Sequence, residues 1–173
     1  MSRFDETAQY LKGLHAQEIV AELLTRAGCY VIKSYDYSGK DGNKAPRMFG
    51  AMQSYILPDL DVARNGKRWW AEVKYKDHPN LWRKTNTLEH GIDKRHYDHY
   101  LRVQSETGCH VWLFVFEESS QIVLAESLDR LGEPRFGWQY GHGGMVNWPR
   151  DRFRVRVPVA QIASAAKKIA AII

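Results

Sequence analysis

The dipeptide Asn65-Gly66 constrains the fold more than any other feature of this sequence. It is the pair best suited to a two-residue type I′ turn, in which both residues have a positive φ. Strand-like runs lie on both sides of it, LPDLDVAR before the turn and KRWWAEVKYKD after it. Residues 57–77 are therefore predicted to form a β-hairpin whose register is set by the turn.

Counting pairs outward from the turn places Asp59 directly opposite Glu72. Because side chains alternate between the faces of a strand, four charged residues are expected on one face. They are Asp59, Asp61, Glu72 and Lys74. Directly opposed residues have Cβ atoms about 4.5–5.5 Å apart, and like charges placed so are destabilising. Two carboxylates at that separation can share one hard divalent cation, which would turn the repulsion into attraction.

Lys74 stands two residues beyond Glu72 on the same face, so it is expected beside the cation. An ammonium group there can orient or help deprotonate a water, or neutralise charge that develops on a phosphate. The cation would polarise a phosphoryl oxygen and lower the pKa of its bound water. These parts suffice to hydrolyse a phosphodiester. The alternative is an exposed hairpin face with ordinary charges.

Three helices are predicted from apolar periodicity and from start and stop residues. They are a helix ending in AQEIVAELLTRAG with Gly28 as its stop, a helix from Asp93 to about Thr107 closed by Gly108, and a short helix opened by Pro158 and ending at Ile173.

Strands are expected at 29–35, 110–118, 121–126 and 153–159, in addition to the hairpin. The run HVWLFVFEE is almost continuously apolar, which is typical of a strand buried on both faces. Residues 36–56, the segment after residue 77 and residues 135–151 are expected to be loops, the last rich in glycine and aromatic residues and without an assigned role. This order of elements predicts an α/β sandwich around a mixed sheet.

The bulk composition agrees with a globular DNA-binding protein but does not establish one. A chain of 173 residues with 44% apolar residues is long enough for a single domain, residues 1–173, with its own core. The net charge of +5 has the sign of a polyanion-binding surface. No apolar run approaches 18 residues, so no membrane span is predicted. The polar N-terminus and two cysteines without a CxxC partner, Cys29 and Cys109, favour a cytoplasmic protein with free thiols.

Pro58-Asp59 followed by Glu72-Val73-Lys74 resembles the motif of the PD-(D/E)xK nuclease superfamily. The stretch PDLDVARNGKRWWAEVKYKD is similar to the core of archaeal-type Holliday junction resolvases and related phage nucleases, and the resemblance covers about residues 13 to 118. It implies a restriction-endonuclease-like α/β/α sandwich around a mixed central sheet and DNA as the substrate. It also implies Mg²⁺ or Mn²⁺ held by Asp59 and Glu72, with Lys74 as the catalytic lysine.

Two positions of the implied site stay open. Asp61 shares the face of Glu72 but pairs with Trp70. It is therefore either a second metal ligand or a residue that supports the ligands from outside the coordination sphere. Many members of the superfamily carry a glutamate in the first helix, at a position that Gln17 occupies here, with Glu18 one step on. Gln17 lies at the margin of the apolar stripe and Glu18 points nearly the opposite way, which favours Gln17 as the residue that reaches the metal or its water. The alternative is that Gln17 is only a boundary residue.

Five basic residues outside the motif are candidates for DNA contact, because basic side chains near aromatic ones can grip phosphates and stack on a base. They are Lys76, Arg83, Lys84, Lys44 and Arg47. His96 and His99 have the i, i+3 spacing that can ligate zinc, but no further Cys or His cluster completes such a site. Both histidines are therefore expected on a helix surface that faces phosphate.

Three classes of function remain open. The favoured one is an active DNA endonuclease or exonuclease that depends on Mg²⁺ or Mn²⁺. A branch-specific resolvase would need a homodimer, because two strands must be cut symmetrically. A non-enzymatic DNA-binding module on the same fold is disfavoured, since an inactive site has no reason to keep a repulsive carboxylate pair.

Overall fold

The computed structural model describes residues 8–34, 46–137 and 143–172, without the side chains of Lys167 and Lys168. A mixed six-stranded sheet lies at its centre. In spatial order the strands are β1 (Tyr30–Lys33), β4 (Leu60–Arg64), β5 (Lys67–Lys76), β8 (Val111–Glu117), β9 (Ile122–Ser127) and β12 (Val155–Pro158). Neighbours are antiparallel except β5 and β8, which run parallel. A parallel pair needs a crossover, and the chain between β5 and β8 supplies it with a helix.

Helices cover both faces of this sheet. Helices α1 (Ala8–Arg26) and α4 (Ile162–Ala170) pack on the face to which Ala71 and Val73 project. Helix α2 (Lys94–Thr107) and the short α3 (Leu128–Leu131) pack on the other face, over Trp70. The expected α/β/α sandwich around a mixed sheet is therefore confirmed.

The hairpin around Asn65-Gly66 forms as predicted. Asn65 has φ 50° and Gly66 has φ 76°, as a type I′ turn requires. The pairs run from Arg64 with Lys67 to Leu60 with Ala71, which is the register counted from the sequence.

The predicted ends of the first two helices are also correct. Helix α1 ends at Arg26 before Gly28, and α2 ends at Thr107 before Gly108. Both glycines have a positive φ, which side chains other than glycine rarely adopt. Helix α4 ends at Ala170, three residues earlier than the predicted Ile173. Within the described ranges, no helix is both long and apolar enough to cross a membrane. Cys29 and Cys109 are free thiols, as expected.

A second, four-stranded sheet replaces two of the predicted loops. In spatial order it comprises β10 (Arg135–Gly137), β11 (Met145–Pro149), β7 (Thr87–Asp93) and β6 (Asn80–Trp82). It lies on the α2 side of the central sheet, where Ile92, Val146 and Trp148 join the core. Glycine is required at Gly91, because a Cβ there would lie 2.3 Å from the carbonyl oxygen of Val146. The loop predictions for the segment after residue 77 and for 135–151 are wrong where these strands form.

The segment 36–56 is also more ordered than expected where it is described. Strand β2 (Arg47–Phe49) pairs with β3 (Ser54–Ile56) as a short antiparallel hairpin. Residues 35–45 lie outside the described part of the chain. The hairpin packs against α2 through Tyr55 and Ile56 and leads directly into Pro58-Asp59.

Candidate active site

The counted register brings Asp59 beside Glu72 in a buried position. Asp59 comes one residue before β4, next to the last pair of the hairpin, Leu60 with Ala71. The Val73 amide donates a hydrogen bond to Asp59 Oδ2 at 2.8 Å, which fixes the carboxylate against β5. Asp59 is 7% exposed and Glu72 only 1%, so both carboxyl groups are removed from water.

Lys74 completes the cluster. Its Nζ lies 2.5 Å from Glu72 Oε1, and its side chain is 26% exposed. Burial alone would lower the pKa of Lys74, but the nearby charges of Glu72 and Asp59 outweigh it and hold this pKa above its usual value. Lys74 is therefore charged at neutral pH and compensates part of the negative charge of the pair.

At Asp59, in contrast to Lys74, the surroundings disfavour the charged form of the side chain. Burial and then the negative charge of Glu72 raise its pKa well above the usual value, although Lys74 and the Val73 amide act in the other direction. Deprotonation of Asp59 is therefore disfavoured in this position beside Glu72. The repulsion expected from the sequence is present in the structure.

The donor set fits a hard divalent cation. Glu72 Oε2 is buried and has no hydrogen-bond partner, so one carboxylate oxygen beside Asp59 remains available. Among the described residues, no three His, Cys, Asp or Glu side chains are grouped as a complete metal cage. Mg²⁺ does not need one, because it is usually held by one or two carboxylates together with waters and substrate phosphates. Asp59 and Glu72 are the residues that could hold such an ion.

The junction of β7 and α2 places two residues near Lys74 that the sequence reasoning did not assign to the site. Asp93, the last residue of β7, makes no capping hydrogen bond, and its charge acts on both Lys74 and His96. His96 is half-buried, and its Nδ1 is buried without a partner. Burial and then the charge of Lys74 lower the pKa of His96, which favours the neutral ring.

Both rings of the predicted histidine pair are half-buried on α2, so neither lies fully on the helix surface. His96 lies near Lys74 and Glu72. His99 accepts a hydrogen bond at 2.8 Å from the Ile56 amide and so anchors β3. The i, i+3 spacing of Asp93 and His96 indicates that their side chains lie on one side of the helix start. Because β7 was predicted as a loop, the sequence did not show that this helix start lies beside the hairpin.

Asp61 is hydrogen-bonded outside this cluster, and Gln17 lies on α1. Asp61 shares the Glu72 face, but Arg68 donates to both of its carboxylate oxygens, at 2.7 Å and 2.6 Å. Helix α1 packs on the face opposite to Glu72 and Lys74, and in the described part of the chain no hydrogen bond joins Gln17 to the site. Glu18 is exposed, as predicted, and pairs with Lys33.

The described basic candidates lie on three different segments of the chain. Lys76 is half-buried beyond Lys74, and burial followed by the charge of Lys74 lowers its pKa. Arg83 and Lys84 are exposed in the turn between β6 and β7. The guanidinium of Arg47 donates to the Ser54 side chain and carbonyl, so it is partly engaged within its own hairpin. Lys44 lies outside the described residues.

A second buried charge cluster adjoins Lys76 and was not foreseen. Glu117 is 2% exposed and opposes Lys76 in the parallel ladder. Its carboxylate accepts hydrogen bonds from His90 at 2.8 Å, from Arg150 at 2.8 Å and 3.0 Å, and from Ser120. Burial would raise the pKa of Glu117, but these donors lower it to about 2. The carboxylate therefore stays charged and ties the second sheet to the end of β8.

Comparison with known proteins rests on structure, since neither a family model nor a curated protein matches the sequence. Hjc, a Holliday junction resolvase from the archaeal hyperthermophile Archaeoglobus fulgidus, superposes with a TM-score of 0.52 and 10% identity, over 88% of this chain and 96% of that one. D212, a nuclease from a fusselovirus, gives a TM-score of 0.43 and 10% identity, over 99% and 97%. Together with the mixed sheet and its hairpin, the likeness to Hjc shows that this chain has the fold of that resolvase.

Proposed function

We propose that this protein is a metal-dependent nuclease that hydrolyses phosphodiester bonds of DNA. Asp59 and Glu72 are the ligands of Mg²⁺ or Mn²⁺, and Lys74 assists the chemistry. One observation carries the proposal, the buried Asp59–Glu72 pair beside Lys74 with Glu72 Oε2 left without a partner. Buried like charges cost stability unless a cation compensates them, so such a pair is a candidate for function.

The protein groups divide the work as follows. A divalent cation, when bound, would polarise the phosphoryl oxygen and lower the pKa of a water. The Val73 amide orients Asp59, and Lys74 orients Glu72 through Oε1, so both carboxylates are held before substrate arrives. Because Lys74 keeps its proton in the free protein, we assign it to stabilising negative charge on the phosphate rather than to accepting a proton.

Neighbouring residues offer a path for the DNA backbone. His96 and Lys76 adjoin Lys74, and a neutral histidine can donate to a phosphate oxygen without adding charge. We propose that Lys76 contacts the scissile strand and that Arg83, Lys84, Lys44 and Arg47 supply further contacts. Neutralisation of phosphates by such residues would make binding fall with salt concentration.

Branched DNA is the second candidate substrate, and the likeness to a Holliday junction resolvase favours it. Symmetric cutting of a four-way junction requires a homodimer with two sites. A purified dimer that prefers four-way junctions to linear duplex would support the resolvase, whereas equal cleavage of both would support a general nuclease.

The test of the proposal is a cleavage panel on plasmid, linear, single-stranded and branched DNA with different metals. An all-oxygen site should be active with Mg²⁺ and Mn²⁺ and poorly served by Ca²⁺, which prefers more ligands and looser geometry. EDTA should abolish cleavage. Cleavage that continues unchanged in EDTA would contradict the mechanism, and DNA binding without cleavage under any metal would favour the non-catalytic module.

A further prediction separates Asp59 from Asp61. Asp61→Asn should retain activity within a few-fold, because its carboxylate is engaged by the half-exposed Arg68 and such surface pairs contribute only about 0–1 kcal/mol. Asp59→Asn should lose activity by two orders of magnitude or more. Single-turnover cleavage at saturating Mg²⁺ measures both.

Arg68→Gln is the matched control, since it breaks the same ion pair without removing a carboxylate. Its effect should equal that of Asp61→Asn. A larger loss in Asp61→Asn than in Asp59→Asn would move the ligand role to Asp61.

A further inference from the structure

The β2–β3 hairpin ends in an exposed apolar tip, residues 49–53. Phe49 is 80% exposed and Met52 is 94% exposed. The Gly50 amide donates to the Gln53 carbonyl at 2.8 Å and closes the turn between them. Phe49 and Met52 line the same groove, so they form one exposed apolar patch, which is a candidate interaction site.

The base of this hairpin is firmly held. Arg47 donates to Ser54 Oγ at 2.9 Å and to the Ser54 carbonyl at 3.1 Å. The Ile56 amide donates to His99 on α2, and the Tyr55 and His99 rings meet edge to face with centroids 5.9 Å apart. The tip therefore projects from a base that is fixed to α2.

The tip also lies within reach of the candidate active site. Helix α2 covers the sheet face to which Glu72 and Lys74 project, and β3 packs on that helix. Met52 precedes Asp59 by seven residues. At about 3.3 Å per residue the tip is at most ~23 Å from the carboxylate, which corresponds to roughly seven base steps of 3.4 Å. DNA that extends about seven base steps from Asp59 toward the hairpin would therefore reach the tip.

The charged residues around the hairpin indicate which kind of partner its tip binds. Burial, and then the positive charges of Arg95 and Arg47, lower the pKa of His99, so both guanidinium groups lie close to the base of the hairpin. Cations at the base of a hairpin with an apolar tip suit a polyanion with an apolar interior. A groove of about 330 Å³ runs under the tip, and Glu106 is the carboxylate among its lining residues. A carboxylate repels phosphate but accepts a hydrogen bond from the amino group of an unstacked base.

We propose that Phe49 and Met52 insert into the base stack of DNA bound at the active site and open one base step. The inference rests on the proposed function, since it takes the DNA path from Asp59 and Lys74. Phenylalanine and methionine are among the side chains that proteins use as wedges between base steps, and such wedges kink the duplex. The hairpin thereby favours DNA that is already distorted or branched, where unstacking costs least.

The experiment uses duplex and four-way-junction DNA with 2-aminopurine at successive positions up to about seven steps from the mapped cut, in Ca²⁺ to slow cleavage. Wild-type protein should raise the fluorescence at one or two positions. A Phe49→Ala/Met52→Ala double variant should lose that rise and bind roughly 10- to 100-fold more weakly. Phe49→Leu should keep most of it. Leu11→Ala is the control, because Leu11 is also exposed, at 57%, but lies on α1 across the sheet.

Three outcomes would overturn the inference. Wild-type protein that cleaves DNA in Mg²⁺ without any unstacking signal would refute the wedge and leave the nuclease intact. Unstacking that persists in the double variant would assign it to another segment. Conversion of a dimer into a monomer by the double variant, with unstacking unchanged, would make the tip a self-association surface. In contrast, unstacking by wild type without cleavage under any metal would support the wedge and refute the nuclease.

Discussion

Replacing Asp59 by asparagine is expected to abolish DNA cleavage while making the metal-free protein more stable. Asparagine keeps the size of the side chain and can still accept the hydrogen bond from the Val73 amide. It removes a buried negative charge that lies against Glu72. Loss of a metal ligand should lower the single-turnover rate by roughly three orders of magnitude.

The stability gain should depend on pH in a defined direction. The folded-state pKa of Asp59 is raised above its unfolded value, so Asp59 favours folding below the unfolded pKa. That contribution is lost as the pH rises through the raised folded-state pKa. Asparagine does not titrate, so the variant should match the wild type near pH 4 and exceed it at pH 8.

Thermal unfolding in EDTA at pH 4 to pH 8 measures this difference. A Tm gain of roughly 2–4 °C at pH 8 is expected, the shift that 1 kcal/mol produces in a chain of this size. With Mg²⁺ present the gain should shrink, because the ion stabilises only the wild type. A variant that cleaves at the wild-type rate, or one less stable than the wild type at pH 8 in EDTA, would refute the assignment of Asp59.

Glu72→Gln provides an informative contrast, because the two carboxylates are not equivalent. Simple repulsion predicts that removal of either one stabilises the metal-free protein. Glu72, however, is paired with the largely buried Lys74 at 2.5 Å. Breaking a buried ion pair by removing one partner leaves an uncompensated charge and is strongly destabilising. Glu72→Gln should therefore abolish cleavage and lower the Tm, whereas Asp59→Asn abolishes cleavage and raises it.

The hairpin could be predicted because its determinants are local. Asn65-Gly66 sets the turn, and the alternation of side chains then places Asp59 and Glu72 together without any knowledge of the rest of the fold. The buried strand β8 could be predicted equally well, because an unbroken apolar run is typical of a strand that is buried on both faces.

The second sheet was missed because the pair that joins its two halves, β6–β7 and β10–β11, is distant in sequence. Strand β7 pairs with β11 about 50 residues later, for example Ile92 with Val146. Until this pairing is known, the sequence of β7 resembles a polar loop and that of β11 resembles a glycine-rich loop. Asp93 and His96 were missed for the same reason, since β7 and the start of α2 bring them to Lys74.

Replacing Lys74 by alanine is expected to damage chemistry far more than binding. Lys74 is placed beside the carboxylate pair, so the variant should still bind Mg²⁺ and DNA. Its cleavage rate should fall by roughly two to four orders of magnitude, the range for losing a proton-transfer or charge-stabilising group. In EDTA the variant should also be less stable, because Glu72 loses its partner in a buried position.

Lys74→Arg separates these two roles. Arginine keeps the positive charge and can pair with Glu72, so it should restore most of the stability in EDTA. Its broad planar fork cannot occupy the position of a compact ammonium, so it should restore little of the cleavage rate. Lys33→Ala is the charge-matched control, since Lys33 is an exposed lysine on β1 that pairs with Glu18.

Three measurements on the same variants test these expectations. Single-turnover cleavage measures catalysis, calorimetric titration measures Mg²⁺ binding, and thermal unfolding in EDTA measures stability. Mg²⁺ should restore the stability of Lys74→Ala, because the ion supplies the positive charge that the lysine no longer provides. Its cleavage rate should stay low at saturating Mg²⁺ and DNA. If Lys74→Ala cleaves at the wild-type rate, the Glu-x-Lys spacing has no catalytic meaning here. The buried carboxylates would then be explained by a structural cation site on a DNA-binding domain.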